Sequence, residues 1–257
     1  MKKLPDVTLV MVTSLDRDTS VKVLRHCKKL ISFGAVKLLT DMTFSKPPKG
    51  IDVVPIDKIT SLPEYSNFMV NKLVDYIKTS HCLVVQTDGF IINPGMWEDE
   101  FLKYDYVAGP WAPFANMVNG PGLEGWITGC GGFSLRSQKF LKAAASLGYD
   151  LGFFNDPKYE QLGSEDILCG RVHRMSLRAQ GIKFAPKEVG FRFALSNGDT
   201  EEKTWGASDQ GQFGFHGSMP HMAEGLKAQS RKLYEEDLKN RVMRTGEVIV
   251  YEKRYTP

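Results

Sequence analysis

Cysteine is scarce in this chain of 257 residues: Cys27, Cys82, Cys130 and Cys169 stand far apart, and no two form a Cys-x-x-Cys pair. Thiols so few and so scattered exclude a disulfide scaffold and offer no zinc spacing. His-Cys occurs twice, at His26-Cys27 and His81-Cys82, but adjacent side chains diverge on a helix and on a strand alike. Buried free thiols are therefore expected. Long hydrophobic runs are also missing. No stretch approaches the ~18 apolar residues that span a membrane, and the opening Met-Lys-Lys-Leu-Pro-Asp lacks an apolar h-region. There is no Asn-x-Ser/Thr sequon. These absences predict a cytoplasmic protein with no membrane span.

A charge surplus is nearly absent too. Lys and Arg total 33 against 30 Asp and Glu, a net charge of +3. Residues 1–226 hold 25 basic and 25 acidic groups, so the excess sits entirely in residues 227–257. Sequence-independent nucleic-acid binding rests on many cations gathered on one surface. The balanced body argues against a dedicated DNA or RNA binder, and the basic tail reads first as a solvated helix face. A hydrophobic content of 42% with 25% charged residues excludes disorder, collagen and coiled coil. Walker A, His-Glu-x-x-His and Gly-x-Ser-x-Gly sequences do not occur. Gly120-Pro-Gly-Leu-Glu-Gly125 matches Gly-x-Gly-x-x-Gly, but it does not end a buried strand, as a dinucleotide fingerprint requires.

What is present alternates between two periodicities. Val7 to Thr13 is β-rich and apolar, as in a strand buried on both faces. A polar turn, Ser14 to Thr19, leads to a helix over 19–32 with Val21, Leu24, Cys27 and Ile31 on one face and Gly34 as its stop. Val36 to Leu39 and Ile51 to Ile56 read as strands, 66–79 as a helix with Met69, Leu73 and Ile77 aligned, and Cys82 to Val85 as a fourth strand. This order predicts an α/β fold, a Rossmann-type, mainly parallel sheet flanked by helices. Such sheets bind ligands outside the carboxyl ends of their strands. Here those ends carry Ser14 to Asp18, Asp41 and Gln86 to Gly89. The second half is richer in loops between Gly109 and Gly132, with helices expected over 137–147, 164–180 and 221–243 and a last strand at Val248 to Tyr251. With no repeat and no linker, one domain is expected: 1–110 as a nucleotide-binding half, 111–220 as a loop-rich donor and acceptor half, and 221–257 as a C-terminal helix and tail.

Four segments carry groups suited to chemistry. Gln86-Thr87-Asp88-Gly89 delivers one carboxylate to a strand end beside a glycine. A divalent cation bridging diphosphate oxygens needs only one or two protein carboxylates, although Asp88 would equally well cap a turn. Ser164-Glu165-Asp166 places two acids at a helix start, either as cap and dipole partners or as a general base. Gly129-Cys-Gly-Gly-Phe-Ser134-Leu-Arg136 is a small-residue segment, fit for tight packing or for backbone contact with a sugar. Phe213-Gly-Phe-His216-Gly217 leaves one His unshielded by bulky neighbours. Trp97, Trp111, Trp126 and Trp205 suit core packing or sugar stacking.

Taken in order, Gln86-Thr-Asp88-Gly-Phe-Ile…Asn93-Pro…Trp97, Tyr104-Asp-Tyr106…Gly109-Pro-Trp111, Gly131-Gly-Phe-Ser-Leu-Arg136-Ser, Glu165-Asp166 and Phe213-Gly-Phe-His216-Gly resemble a family of small GT-A-like glycosyltransferases, domain-of-unknown-function family 5672. The resemblance covers roughly residues 60–217. It implies a glycosyltransferase moving a sugar from a nucleotide diphosphate, a UDP-sugar first, to a glycan or other hydroxyl acceptor, assisted by Mn²⁺ or Mg²⁺. Asp88 matches the last Asp of the family's Asp-x-Asp motif, with Gln86 at the first position, and His216 matches a late metal-binding His. Asp166, and Glu165 second, match the acidic pair that supplies the base. Gln86, Thr87, Gly89, Thr13, Asp41, Gly131, Gly132, Arg136 and Trp111 then fall on the nucleotide and sugar side.

Two other readings stay open. Gln86 in place of an acid fits a non-catalytic nucleotide- or carbohydrate-binding protein on the same fold. A transferase acting on nucleic-acid bases would use the basic tail for docking, and its mark is steep salt dependence.

Overall fold

The computed structural model describes residues 1–111, 127–156, 164–196 and 212–217. Strand β1 (Lys2–Val12) is buried continuously from Val7 to Val12, as its apolar run predicts. Helix α1 (Arg17–Leu30) starts at Asp16, whose side chain accepts from the Thr19 amide at 3.2 Å. The helix buries Val21, Val23, Leu24 and Cys27. It passes directly into β2 (Ile31–Thr40), so Gly34 lies within a strand and does not stop the helix. The reason is a close approach: a Cβ at Gly34 would lie 1.9 Å from the Pro5 carbonyl oxygen, where the β1–β2 register shifts between Leu4 and Thr8.

Strand β3 (Asp52–Pro55) follows. The expected helix over 66–79 is two pieces, α2 (Leu62–Asn71) and a single turn, α3 (Leu73–Tyr76). It starts early because Ser61 Oγ accepts from the Glu64 amide, Pro63 sits in the first turn, and the Glu64 carboxylate accepts from Thr60 N and Oγ1. Met69, Leu73 and Ile77 are nonetheless all buried. Strand β4 (His81–Val84) leads through short 3-10 turns to β5 (Tyr106–Ala108) and β6 (Pro110–Trp111). After β7 (Ile127–Thr128) come β8 (Ser134–Ser137), α4 (Gln138–Ala145) and α5 (Leu151–Asn155). The helix expected over 164–180 is broken into α6 (Glu165–Ile167), a π-type turn at Leu168–Val172 and α7 (Arg174–Ala179). Gly170, a weak helix former packed against Trp111, lies at the break. Helix α8 (Lys187–Phe193) and strands β9 (Ala194–Ser196) and β10 (Gly214–His216) complete the described elements. The C-terminal helix and strand expected at 221–251, together with Trp126, Trp205 and the Gly120–Gly125 segment, lie outside the described residues.

The main sheet has six strands in the order β3-β2-β1-β4-β8-β5. The first four run parallel, and β8 runs antiparallel to both β4 and β5. This is the mainly parallel α/β sheet flanked by helices that the sequence predicts. Alternate β1 residues serve opposite faces. Leu9 and Met11 join Leu24, Cys27, Phe90 and Phe213 in one buried cluster, while Val10 and Val12 join Met69, Leu73, Phe140 and Leu141 in the other. All four cysteines are buried and unpaired, as expected. Among the described residues no helix is long and apolar enough to cross a membrane.

Gly34→Ala is expected to destabilise the fold by about 1–3 kcal/mol, the usual cost of overpacking, because backbone must yield to the new methyl. Urea denaturation checks this, and an unchanged midpoint would refute the close approach.

Candidate active site at the carboxyl ends of the strands

The end of β4 closes into a tight turn. The Gln86 amide donates to the Gly89 carbonyl at 2.8 Å, and the Gly89 amide donates back at 3.1 Å. Thr87 and Asp88 occupy the middle of that turn. Residues 212–217, far along the chain, dock beside it. The amides of Ile92 and Asn93 donate to the Phe213 carbonyl, and the Gly217 amide donates to the Asp88 carbonyl at 2.8 Å. Aromatic packing fixes this segment: Phe90 meets Phe215 edge-on at 4.8 Å, and Trp97 meets Phe213 at 5.1 Å. His216 thereby reaches Asp88, with Nε2 3.7 Å from Oδ1.

Side chains and backbone together enclose the His216 ring. Nδ1 lies 3.0 Å from Cys130 Sγ, and Nε2 lies 3.1 Å from Gln86 Oε1. Gln86 Nε2 in turn donates to the Tyr65 hydroxyl at 2.8 Å, so the amide oxygen is held facing the ring. Gly132 and Gly89 form the notch: a Cβ on Gly132 would lie 2.0 Å from Nε2, and one on Gly89 would lie 2.9 Å from Cδ2. Burial disfavours the imidazolium, but Cys130 and Asp88 outweigh it and push the His216 pKa up to about 10.

Among the described residues no three His, Cys, Asp or Glu side chains gather closely enough to hold a metal ion. Asp88 and His216 still fit a divalent cation whose remaining ligands come from a diphosphate or water. Gln86 Oε1 faces the same Nε2 and would add a third protein atom to such a site. The ring nitrogen remote from this space has a hydrogen-bond partner, as metal-binding histidines generally do.

The acidic pair divides. Glu165 is buried and paired with Arg136, Oε1 accepting from Nη2 at 2.9 Å. Arg136 also donates to Ser134 Oγ and to the Gly131 carbonyl, and its guanidinium lies over the Tyr106 ring. Burial and the neighbouring Asp166 push the Glu165 pKa up, against the downward pull of Arg136. The Arg136 charge is thus already matched by a carboxylate. Asp166 has two backbone partners: Oδ2 accepts from the Gly131 amide at 2.9 Å and Oδ1 from the Ile167 amide at 2.8 Å. Ser164 precedes α6 without a side-chain cap bond. Gly131 has no room for a side chain, since a Cβ there would lie 2.5 Å from Glu165 Oε1.

A third group lies beyond β1 and β2. A groove of about 480 Å³ is lined by Asp16, Arg17, Asp18, Asp41, Met42 and Thr43. Asp41 Oδ1 is buried there without a hydrogen-bond partner among the described residues. Thr13 donates its amide to the Leu39 carbonyl and bonds the Leu15 backbone through Oγ1. Trp111 is buried against Gly129, with the Arg171 guanidinium over its ring. Sequence reasoning did not single out Tyr65 or Cys130 for the site. Cys130 borders the Gly131-Gly132 pair, which is a readable signal, whereas Tyr65 sits on α2 with no local mark of its role.

The family model described as "Protein of unknown function (DUF5672)" matches residues 50–216, and the chain belongs to that family. Comparison with curated proteins finds no match. Among solved structures, the galactosyltransferase LgtC in complex with donor and acceptor sugar analogs is similar at 13% identity, over 89% of this chain and 94% of that one, with a TM-score of 0.48. An active-site mutant of LgtC is similar at 14% identity over the same shares, with a TM-score of 0.45. The bifunctional IspDF from Campylobacter jejuni is similar at 12% identity over 60% of this chain, with a TM-score of 0.38, and the chain spans only 46% of that protein's length. At these values the likenesses assign no activity and no residue role.

Gly132→Ala is expected to displace the His216 ring and the Gln86 amide, both side-chain ends, rather than backbone. The melting temperature should stay within a few degrees while any ligand binding at Asp88 falls at least about tenfold. Calorimetry and ligand titration on the same variant check both halves.

Proposed function

We propose that the protein is a glycosyltransferase of GT-A-like architecture, acting in the cytoplasm on a UDP-sugar and a glycan or other hydroxyl acceptor, with Mn²⁺ or Mg²⁺ as cofactor. The convergence of Asp88, His216 and Gln86 at the end of a buried parallel strand carries this reading. Ligands of α/β sheets sit at that edge. Transfer breaks the bond between the anomeric carbon and the diphosphate, and negative charge develops on the leaving oxygens. A divalent cation between Asp88 and His216 would supply the neutralising charge.

The chain's own residues do the rest. Asp41 Oδ1, lacking an internal donor, accepts from the nucleoside in the adjoining groove. Burying that oxygen unpaired is costly, so a ligand N–H or O–H there gains affinity. Asp166 removes the acceptor proton, because its two backbone bonds aim the carboxylate and leave each oxygen a second lone pair. Asp166 lies close enough to His216 to raise its pKa, so base and cation site share one field. Glu165, neutralised by Arg136, braces the Gly131 loop. A sugar passing between Asp88 and Asp166 would run along Gly131 and Gly132.

One observation favours a second reading. Gln86 leaves the site with fewer acids than a cation site usually gathers, which suits a non-catalytic nucleotide- or carbohydrate-binding protein. Titrating UDP with and without Mn²⁺, followed by a donor-hydrolysis assay, separates the two. Metal-independent UDP binding without hydrolysis would support the binding protein. A base-modifying transferase would instead bind DNA with steep salt dependence.

Asp88→Asn is expected to lower turnover at least about 10²-fold with little change in melting temperature, since a side chain at 30% exposure fills no core. Asp166→Asn should lower kcat by ~10²–10⁴-fold while UDP affinity holds. Steady-state kinetics on both variants check this, and near-normal turnover of Asp88→Asn would sink the metal assignment.

A further inference from the structure

Cys130 has no part in the transfer as proposed, yet it sits at the centre of the site. Its Sγ is 3.0 Å from His216 Nδ1, and it is only 5% exposed. A thiol nucleophile beside its base would show the same geometry, but the backbone argues otherwise. The Cys130 amide donates to the Gly109 carbonyl at 3.2 Å, and the Gly131 amide donates to Asp166 at 2.9 Å. Neither amide can meet an oxyanion, which a thiol nucleophile in acyl transfer requires. The thiol is also shut behind the ring it touches.

The ring itself needs a holder. An imidazole in the Gly132 notch has two orientations related by a flip. Only one of them directs Nε2 at Asp88 and Gln86 and Nδ1 at Cys130. Gln86 Oε1, pinned by Tyr65, is an acceptor that takes an Nε2–H when no cation is bound, and it fixes which ring nitrogen faces this side. On the other side, Cys130 Sγ lies within hydrogen-bond reach of Nδ1. We propose that Cys130 is a positioning residue: its sulfur accepts the Nδ1–H of His216 and keeps Nε2 directed at the cation and diphosphate space. The role rests on the reading of Asp88 and His216 as metal ligands, where a partner on the remote ring nitrogen is typically worth about 10–100-fold in metal affinity.

The test compares Cys130→Ala with Cys130→Ser in the full chain. Serine keeps an acceptor lone pair at nearly the same place, while alanine removes it. Mn²⁺ affinity in the presence of UDP, read by electron paramagnetic resonance, should weaken about 10–100-fold in Cys130→Ala and by less than about threefold in Cys130→Ser. Nitrogen-15 NMR of the His216 ring, without metal, should show a single, slowly exchanging Nδ1–H in the wild type and in Cys130→Ser. Exchange averaging is expected in Cys130→Ala. Equal loss in both variants, or unchanged affinity and an unchanged ring spectrum in Cys130→Ala, overturns the proposal. If the wild type binds no Mn²⁺ with or without UDP, the metal reading falls, and the ring spectra still decide whether Cys130 holds the imidazole.

Discussion

His216 reaches the end of β4 because two residues beside it have no side chain. Gly132 and Gly89 leave a notch in which the imidazole lies against backbone, and a methyl on Gly132 would occupy the ring's own position. Once seated, the ring meets Cys130, Gln86 and Asp88 together. Around that ring Asp88, the glycine pair and the loop bearing Asp166 take their places. The aromatic side chains of Phe213 and Phe215 deliver the segment, so hydrophobic packing sets the position of a polar group.

A second layer supports the first. The buried Arg136–Glu165 pair ties the β8 strand to the start of α6, and the Gly131 loop is held between them. Taking two charges out of water is expensive, and a pair of this kind is poor evidence of stabilisation. Removing one partner alone typically costs about 3–5 kcal/mol, so the pair is better understood as a constraint on geometry. It separates the roles of two adjacent acids that look equivalent in sequence: one is neutralised by Arg136, and the other is held by backbone amides at the edge of the site.

Much of this is legible from residues alone. The buried β1 and β4 runs, the parallel order of the first strands and the polar groups at their ends follow from apolar periodicity and from the connection rules of α/β sheets. Asp88 and His216 are readable because a strand end and a pair of flanking glycines mark them locally. Gly34 misleads because glycine marks both helix ends and close backbone approaches, and only the approach of Pro5 decides between them. The break at Leu168–Val172 involves Trp111, which lies far earlier in the chain. The partnership of Glu165 with Arg136 and of Cys130 with His216 arises from long-range packing, which no local pattern encodes.

The segment bearing His216 is a three-residue strand, β10, paired with the three-residue β9. Its Nε2 meets a residue 130 positions earlier in the chain. Contacts of such separation close late in folding, after the entropy of a long loop has been overcome. Phe213 and Phe215 nonetheless anchor the segment in the larger core cluster, fully buried beside Leu9 and Met11. Units with many buried apolar contacts open only near the global unfolding free energy, so the assembled site should be lost together with that core and not before it.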